Sequence, residues 1–186
     1  GITSVTIPEG VTTIGEWAFL KCRSLSSITL PEGLKTIGYA AFEEGYALST
    51  ITIPSSVTTI GEDAFVVTGL ESITFAEGSQ LTTIADGAFS HSTLKSIDIP
   101  ASVTEIGVGA FQACSALQSV TIAASVTTIG GYAFYNCSVL ASVTFLGNAC
   151  QNAIGENAFG LVGDPDPALL TLPDNWTGSK PDEDGN

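Results

Sequence analysis

Ser119 to Cys137 reads SVTIAASVTTIGGYAFYNC, and near copies of this string recur along the whole chain. Val120 and Ile122 alternate with Ser119 and Thr121, the period-two pattern of a strand with one apolar and one hydroxyl face. Val126 and Ile129 follow, and Gly130-Gly131 breaks the extended run. Ala133 and Phe134 supply a small residue and a large plug, and Cys137 and Leu140 close the unit. A single unit of this kind leaves half of its backbone donors and acceptors facing nothing and cannot bury its apolar edge. Stacking on identical neighbours solves both problems, so the string predicts one coil of a solenoid.

Two registers mark the coils. Phe19, Phe42, Phe65, Phe89, Phe111, Phe134 and Phe159 are spaced 23, 23, 24, 22, 23 and 25 apart, each preceded by alanine. Leu25, Leu48, Leu70, Leu94, Leu117 and Leu140 drift with them, so insertions are local loops. One insertion is Ala76 to Gln80, where the strand-ending proline of other coils (Pro8, Pro31, Pro54, Pro100) is missing. A period of 20 to 29 with this leucine pattern is a leucine-rich-repeat signature.

The consensus L-x-S-I-T-I-P-x-S-V-T-x-I-G-x-x-A-F-x-x-C resembles the BspA-like, treponemal class of bacterial leucine-rich repeats over roughly Ile2 to Phe159, with a weaker match over Leu169 to Gly178. The resemblance implies a β-rich right-handed coil with a parallel β-sheet face, short helical or 3-10 turns, and about seven coils of 22–25 residues. A second short extended run such as VTTIG replaces the helix of the common repeat. It also implies an extracellular or surface-attached bacterial protein, often an adhesin, whose partner is a host or bacterial surface protein or glycan.

Composition narrows the function. The 186 residues are 44% hydrophobic and 13% charged, with 19 acidic against 5 basic side chains and a net charge of −14. That balance argues against nucleic acid or an anionic membrane surface as partner, because both demand a cationic face. No apolar run is long enough to insert in a membrane. No signal peptide opens the chain, which reads as a mature or excised piece of a longer protein. Residues 1–178 are expected to form one solenoid domain with an irregular last coil, 140–178, and residues 179–186 a disordered acidic tail or linker. The first strand, around Val5 to Ile7, has no polar cap, which predicts either edge-to-edge self-association or a covering N-terminal segment in the natural protein.

Few residues invite chemistry. The single histidine, His91, sits two after Phe89, a place held elsewhere by Lys21, Glu44, Val67, Ala113, Asn136 and Leu161. So variable a position reads as an exposed turn, and no catalytic residue is assigned. Glu16, Glu62, Asp86 and Glu156 follow the I-G turn, where they read as carboxylates at the first turn of a short helix. Asp164 and Asp166 lack the ligand count calcium needs, so neither a metal nor another cofactor is expected. Cys22, Cys114 and Cys137 share one repeat position with Gly45, Thr68 and Ser92, which reads as a tight packing site for free thiols. Cys114 and Cys137 lie in adjacent coils and are within reach of a disulfide, although free thiols are the expectation. Cys150 falls in the irregular coil, as a candidate substitute for the usual valine.

The remaining signal is the polar face of the strand. Its pairs are Ser4/Thr6, Ser27/Thr29, Thr50/Thr52, Ser72/Thr74, Ser96/Asp98, Ser119/Thr121 and Ser142/Thr144, and only Asp98 is neither serine nor threonine. Two readings stand: threonine suits strands and its hydroxyls can bond one another across them, or the row is a ligand surface. The candidate binding residues are Thr50, Thr52, Ser72, Thr74, Ser96, Asp98, Ser119 and Thr121. The expected function is a non-enzymatic recognition or adhesion module; the alternatives are a spacer holding another domain away from the cell, an ice-binding face and, last, an enzyme.

Overall fold

The repeat pattern folds into short strands on two sides of a parallel β-solenoid, seen in a computed structural model that describes residues 1–147, 153–160 and 170–171. Strands are numbered in chain order. The first side carries β1 (Ser4–Thr6), β3 (Ser27–Thr29), β5 (Thr50–Ile53), β7 (Ser72–Phe75), β9 (Ser96–Asp98), β11 (Ser119–Ile122) and β13 (Ser142–Phe145), with β14 (Leu170–Thr171) beside β13. The second side carries β2 (Thr13–Ile14), β4 (Thr36–Ile37), β6 (Thr59–Ile60), β8 (Thr83–Ile84), β10 (Glu105–Ile106) and β12 (Thr128–Ile129). Every strand pair is parallel and joins consecutive coils, as expected. The second side is one continuous six-stranded sheet, and the chain makes about six complete turns. Of the expected irregular last coil, 140–178, residues 148–152, 161–169 and 172–178 lie outside the described residues, with Cys150, Asp164 and Asp166 among them, as does the tail at 179–186.

The core follows from the two registers. Phe42, Phe65, Phe89, Phe111 and Phe134 are fully buried, as are Leu48, Leu70, Leu94 and Leu117. The phenylalanine rings form one column with centroids 5.0 to 5.4 Å apart and planes within 9° of parallel. That spacing tracks the ~4.8 Å separation of hydrogen-bonded strands, so the ladder sets the pitch of the ring column. At the open end the regularity fades: Phe19 is only half-buried, and the outer edge of β1 has no partner strand among the described residues.

The helical or 3-10 turns expected around Ala-Phe are not there; among the described residues there is no helix. Overlapping turns replace it, and the acidic residues after I-G sit in those turns and not at a helix N-terminus. In the first coil, Ala18, Leu20 and Cys22 donate back three residues to Gly15, Trp17 and Phe19, while Trp17, Phe19 and Lys21 donate to Tyr39, Ala41 and Glu43 of the next coil. An α-helix would consume every N–H within its own chain. Here alternate N–H groups are left to tie coil to coil. The geometry requires a left-handed residue just before Ala-Phe and two after Phe, and most of the occupants are not glycine: Trp17, Ala40, Asp63 and Tyr132 in the first place, Lys21, Glu44, Val67 and His91 in the second.

The I-G glycine has a different cause. A Cβ built on Gly38, Gly61 or Gly130 falls 2.6 to 2.8 Å from backbone atoms of the preceding coil. The coils approach so closely there because the glycine N–H bonds the isoleucine carbonyl behind it, as from Gly61 to Ile37 at 2.8 Å.

The cysteine position does more than fill space. Thr68 Oγ1 donates to the Phe65 carbonyl at 2.8 Å, Cys114 Sγ to Phe89 and Cys137 Sγ to Phe111, both at 3.2 Å, and Ser92 Oγ lies 3.2 Å from Cys114 Sγ. This buried polar row explains why the site accepts cysteine, serine or threonine: each can satisfy a carbonyl beside the ring column. Cys22, Cys114 and Cys137 are free thiols. The Cys137 thiol is held well above the ordinary thiol range, first by its hydrogen bond with Cys114 and then by burial.

Three outcomes follow from this architecture. Phe111→Ala removes a ring with neighbours on both sides and should cost about 3–5 kcal/mol in urea unfolding. Cys114 and Cys137 should resist a thiol reagent in the native protein at mildly alkaline pH while the half-buried Cys22 reacts, and should become reactive on unfolding. Burial, and after it the charge of Asp86, hold the Asp63 carboxyl above its usual range. The folded chain therefore keeps this proton to higher pH than the unfolded one, and stability falls as pH rises through the carboxylate range. Asp63→Asn, which suits the φ of 55° at this position, should remove this group's share and make the change in unfolding midpoints between about pH 3 and pH 7 shallower.

Candidate recognition surface

Period-two alternation in the first-side strands turns the apolar residues inward and leaves Thr50, Thr52, Ser72, Thr74, Ser96 and Asp98 exposed, with Ser119 and Thr121 half-buried. Ladder register sets Thr50 beside Ser72 and Thr52 beside Thr74, then Ser96 beside Ser119 and Asp98 beside Thr121. None of the fourteen side chains in the row makes a hydrogen bond with another described residue. Some threonines elsewhere, Thr104 and Thr127, spend their hydroxyls on carbonyls of the preceding coil, whereas Thr36, Thr59 and Thr128 on the second side make no side-chain bond among the described residues. Hydroxyl bonding across strands does not occur in the row among the described residues.

The row is not the single lattice that the sequence pattern suggests. The first side splits into β1-β3, β5-β7 and β9-β11-β13-β14, so the eight candidate residues form two groups of four on either side of a break. The break between β7 and β9 is a cleft of about 510 Å³, lined by residues 72–79 and 96–102. It is pinned at one end, where the Lys95 N–H donates to the Glu71 carbonyl at 3.1 Å and Lys95 Nζ meets Glu71 Oε2 at 2.6 Å. From there the strands diverge towards the loop at Ala76–Gln80.

The second side of the same coil also departs from the pattern. At the I-G position the fourth coil carries Ala85, and the bond that every following glycine makes to the preceding isoleucine carbonyl is missing there. On the second side β6 and β8 share one registered pair, Ile60 with Ile84, where β4–β6 and β8–β10 share two. On the first side the same coil keeps four registered pairs with β5. Coil four thus leans: its first strand stays with coil three and its second with coil five. Beside the cleft Ile73 and Phe75 are half-buried, although their counterparts Ile51, Ile53, Val120 and Ile122 are buried.

Sequence reasoning reached Ser72, Thr74, Ser96 and Asp98 and flagged the Ala76–Gln80 loop, but missed Ile73, Phe75, Glu77 and Ser102 as members of one hollow. The available signal was the alanine in a glycine register. Asp98 and Glu77 carry no ion pair or hydrogen bond, and Ser102 Oγ is buried without a partner among the described residues. His91 is exposed in its turn, with φ of 56°. Asp86 Oδ1 accepts the Val108 N–H at 2.7 Å, a bond between coils. No group of three metal-ligating side chains gathers among the described residues.

Solved structures share this architecture. A Treponema pallidum leucine-rich repeat protein superposes with a TM-score of 0.76 at 27% identity, over 95% of this chain and 85% of its own. A leucine-rich cell surface protein from Faecalibacterium prausnitzii does so at 0.54 and 27% identity, over 95% of this chain and 62% of its own. The pneumococcal vaccine antigen PcpA, at 22% identity and a TM-score of 0.62, shares the fold over 94% of this chain, which spans about half (51%) of that protein's length. No curated protein matches the sequence. The profile of the BspA type leucine-rich repeat region, six copies long, matches residues 1–117 and 78–161. With the phenylalanine column, the paired short strands and this match together, the chain belongs to the BspA-type leucine-rich-repeat family.

Proposed function

We propose that this chain is a non-enzymatic recognition or adhesion module of a bacterial surface protein, which binds a protein or glycan through the hydroxyl face of its central coils. The observation that carries the reading is the unspent row: Thr50, Thr52, Ser72, Thr74, Ser96, Ser119 and Thr121 use none of their side-chain hydrogen bonds within the described residues. A buried or self-bonded row would have nothing to offer a partner. Broad, shallow and periodic, such a face suits an extended protein or glycan surface. The similarity to a protein described as a leucine-rich cell surface protein supports placement outside the cell. A second reading, a spacer that presents another domain, is favoured by the unbroken ring column, which makes the array a stiff unit.

Replacing Thr74, Asp98 and Thr121 together with bulky charged residues tests the face. Binding to matrix proteins, glycans and whole cells should fall at least about tenfold, with little change on added salt for the hydroxyl contacts. Retained binding by the triple variant would reject the face and leave the spacer reading.

A further inference from the structure

The cleft between β7 and β9 is unlike the rest of the face. Its lining combines the half-buried apolar Ile73 and Phe75 with two exposed acidic residues, Asp98 and Glu77. Neither carboxylate has a cation: the ion pairs among the described residues engage only Glu44 and Glu71. Ser102 Oγ adds a buried polar atom with its hydrogen bond unmade. At about 510 Å³ the hollow falls within the usual ~300–1,000 Å³ range of small-group binding sites.

We infer that this cleft receives a basic side chain, lysine or arginine, presented by the partner protein. The aliphatic stem of such a side chain lies on Ile73 and Phe75, and its charged head meets Asp98 and Glu77. The match is one of chemistry: long basic side chains are apolar along the stem and cationic at the tip, and the cleft lining joins apolar Ile73 and Phe75 with two carboxylates. Uncharged sugars and apolar side chains would leave both carboxylates desolvated and unpaired. A net charge of −14 adds long-range attraction for a basic partner. Asp98 stands where every other coil has threonine, so its charge is dispensable for the fold.

This inference rests on the recognition reading and refines it. The direct test is amide chemical-shift titration of the labelled protein with blocked lysine, blocked arginine, blocked norleucine and glucosamine. A basic amino acid should produce saturable shifts confined to residues 72–79 and 96–102. Norleucine, which has the stem without the charge, should bind at least about tenfold more weakly. Asp98→Thr, which restores the repeat residue, should weaken the basic probe by a similar factor and remove most of its salt dependence. Ala85→Gly, distant from the cleft lining, should let coil four settle against coil three and reduce the shifts. Shifts scattered over the acidic surface, or unaffected by Asp98→Thr, would overturn the proposal, and tighter binding of glucosamine would replace it with an amino-sugar site. If Asp98→Thr leaves binding to matrix and cells intact while the triple face variant abolishes it, the cleft assignment fails and the recognition reading survives. If neither variant has any effect, both fail.

Discussion

Everything in this molecule depends on how the backbone divides its hydrogen bonds. In each turn, alternate N–H groups bond three residues back and the others reach the next coil. The first set closes a coil; the second sets the distance between coils. Once that distance equals a strand spacing, the phenylalanines stack at 5.0 to 5.4 Å, the cysteine row meets the carbonyls beside them, and the I-G position admits no Cβ. The core is a consequence of the ladder and not the reverse, although burial of the rings supplies most of the stabilisation.

The arrangement is irregular at the fourth coil. Where Ala85 stands in the glycine register the second side keeps one registered pair with the third coil, while the first side keeps four with β5 and none with β9. The five-residue loop Ala76–Gln80 lies on the same coil, two residues longer than its counterpart between Ile53 and Val57, with Gly78 at φ of 75°. Local irregularity in a repeat array thus coincides with a hollow between the fourth coil and the fifth.

Much of this was legible in the sequence because each coil meets copies of itself. Phe111 and Leu117 are core for the same reason in every coil, and the two extended runs, SVTI and TTI, are read from period-two alternation. The turns were not. An acid followed by Ala-Phe looks like a helix start, and nothing in Trp17, Asp63 or Tyr132 announces a left-handed backbone. Cross-coil bonding imposes that conformation, and a single coil does not encode it. The hydroxyl row was visible as composition, but its division was not, since a break in pairing depends on how whole coils tilt. Asp98 stood out as the exception in its row without revealing that Phe75 and Glu77 share its hollow.

Strands stacked in chain order also give the array a mechanical character. A pull on the two ends of the chain reaches the outermost coil first and opens its bonds one after another, as a zip opens, without shearing the whole stack at once. Each coil of 23 residues that peels away releases roughly 80 Å of extended chain. The coils behind it keep their ring column and their ladder. Tension on such a module is met by stepwise lengthening, and any surface it displays in the central coils is the last to be lost.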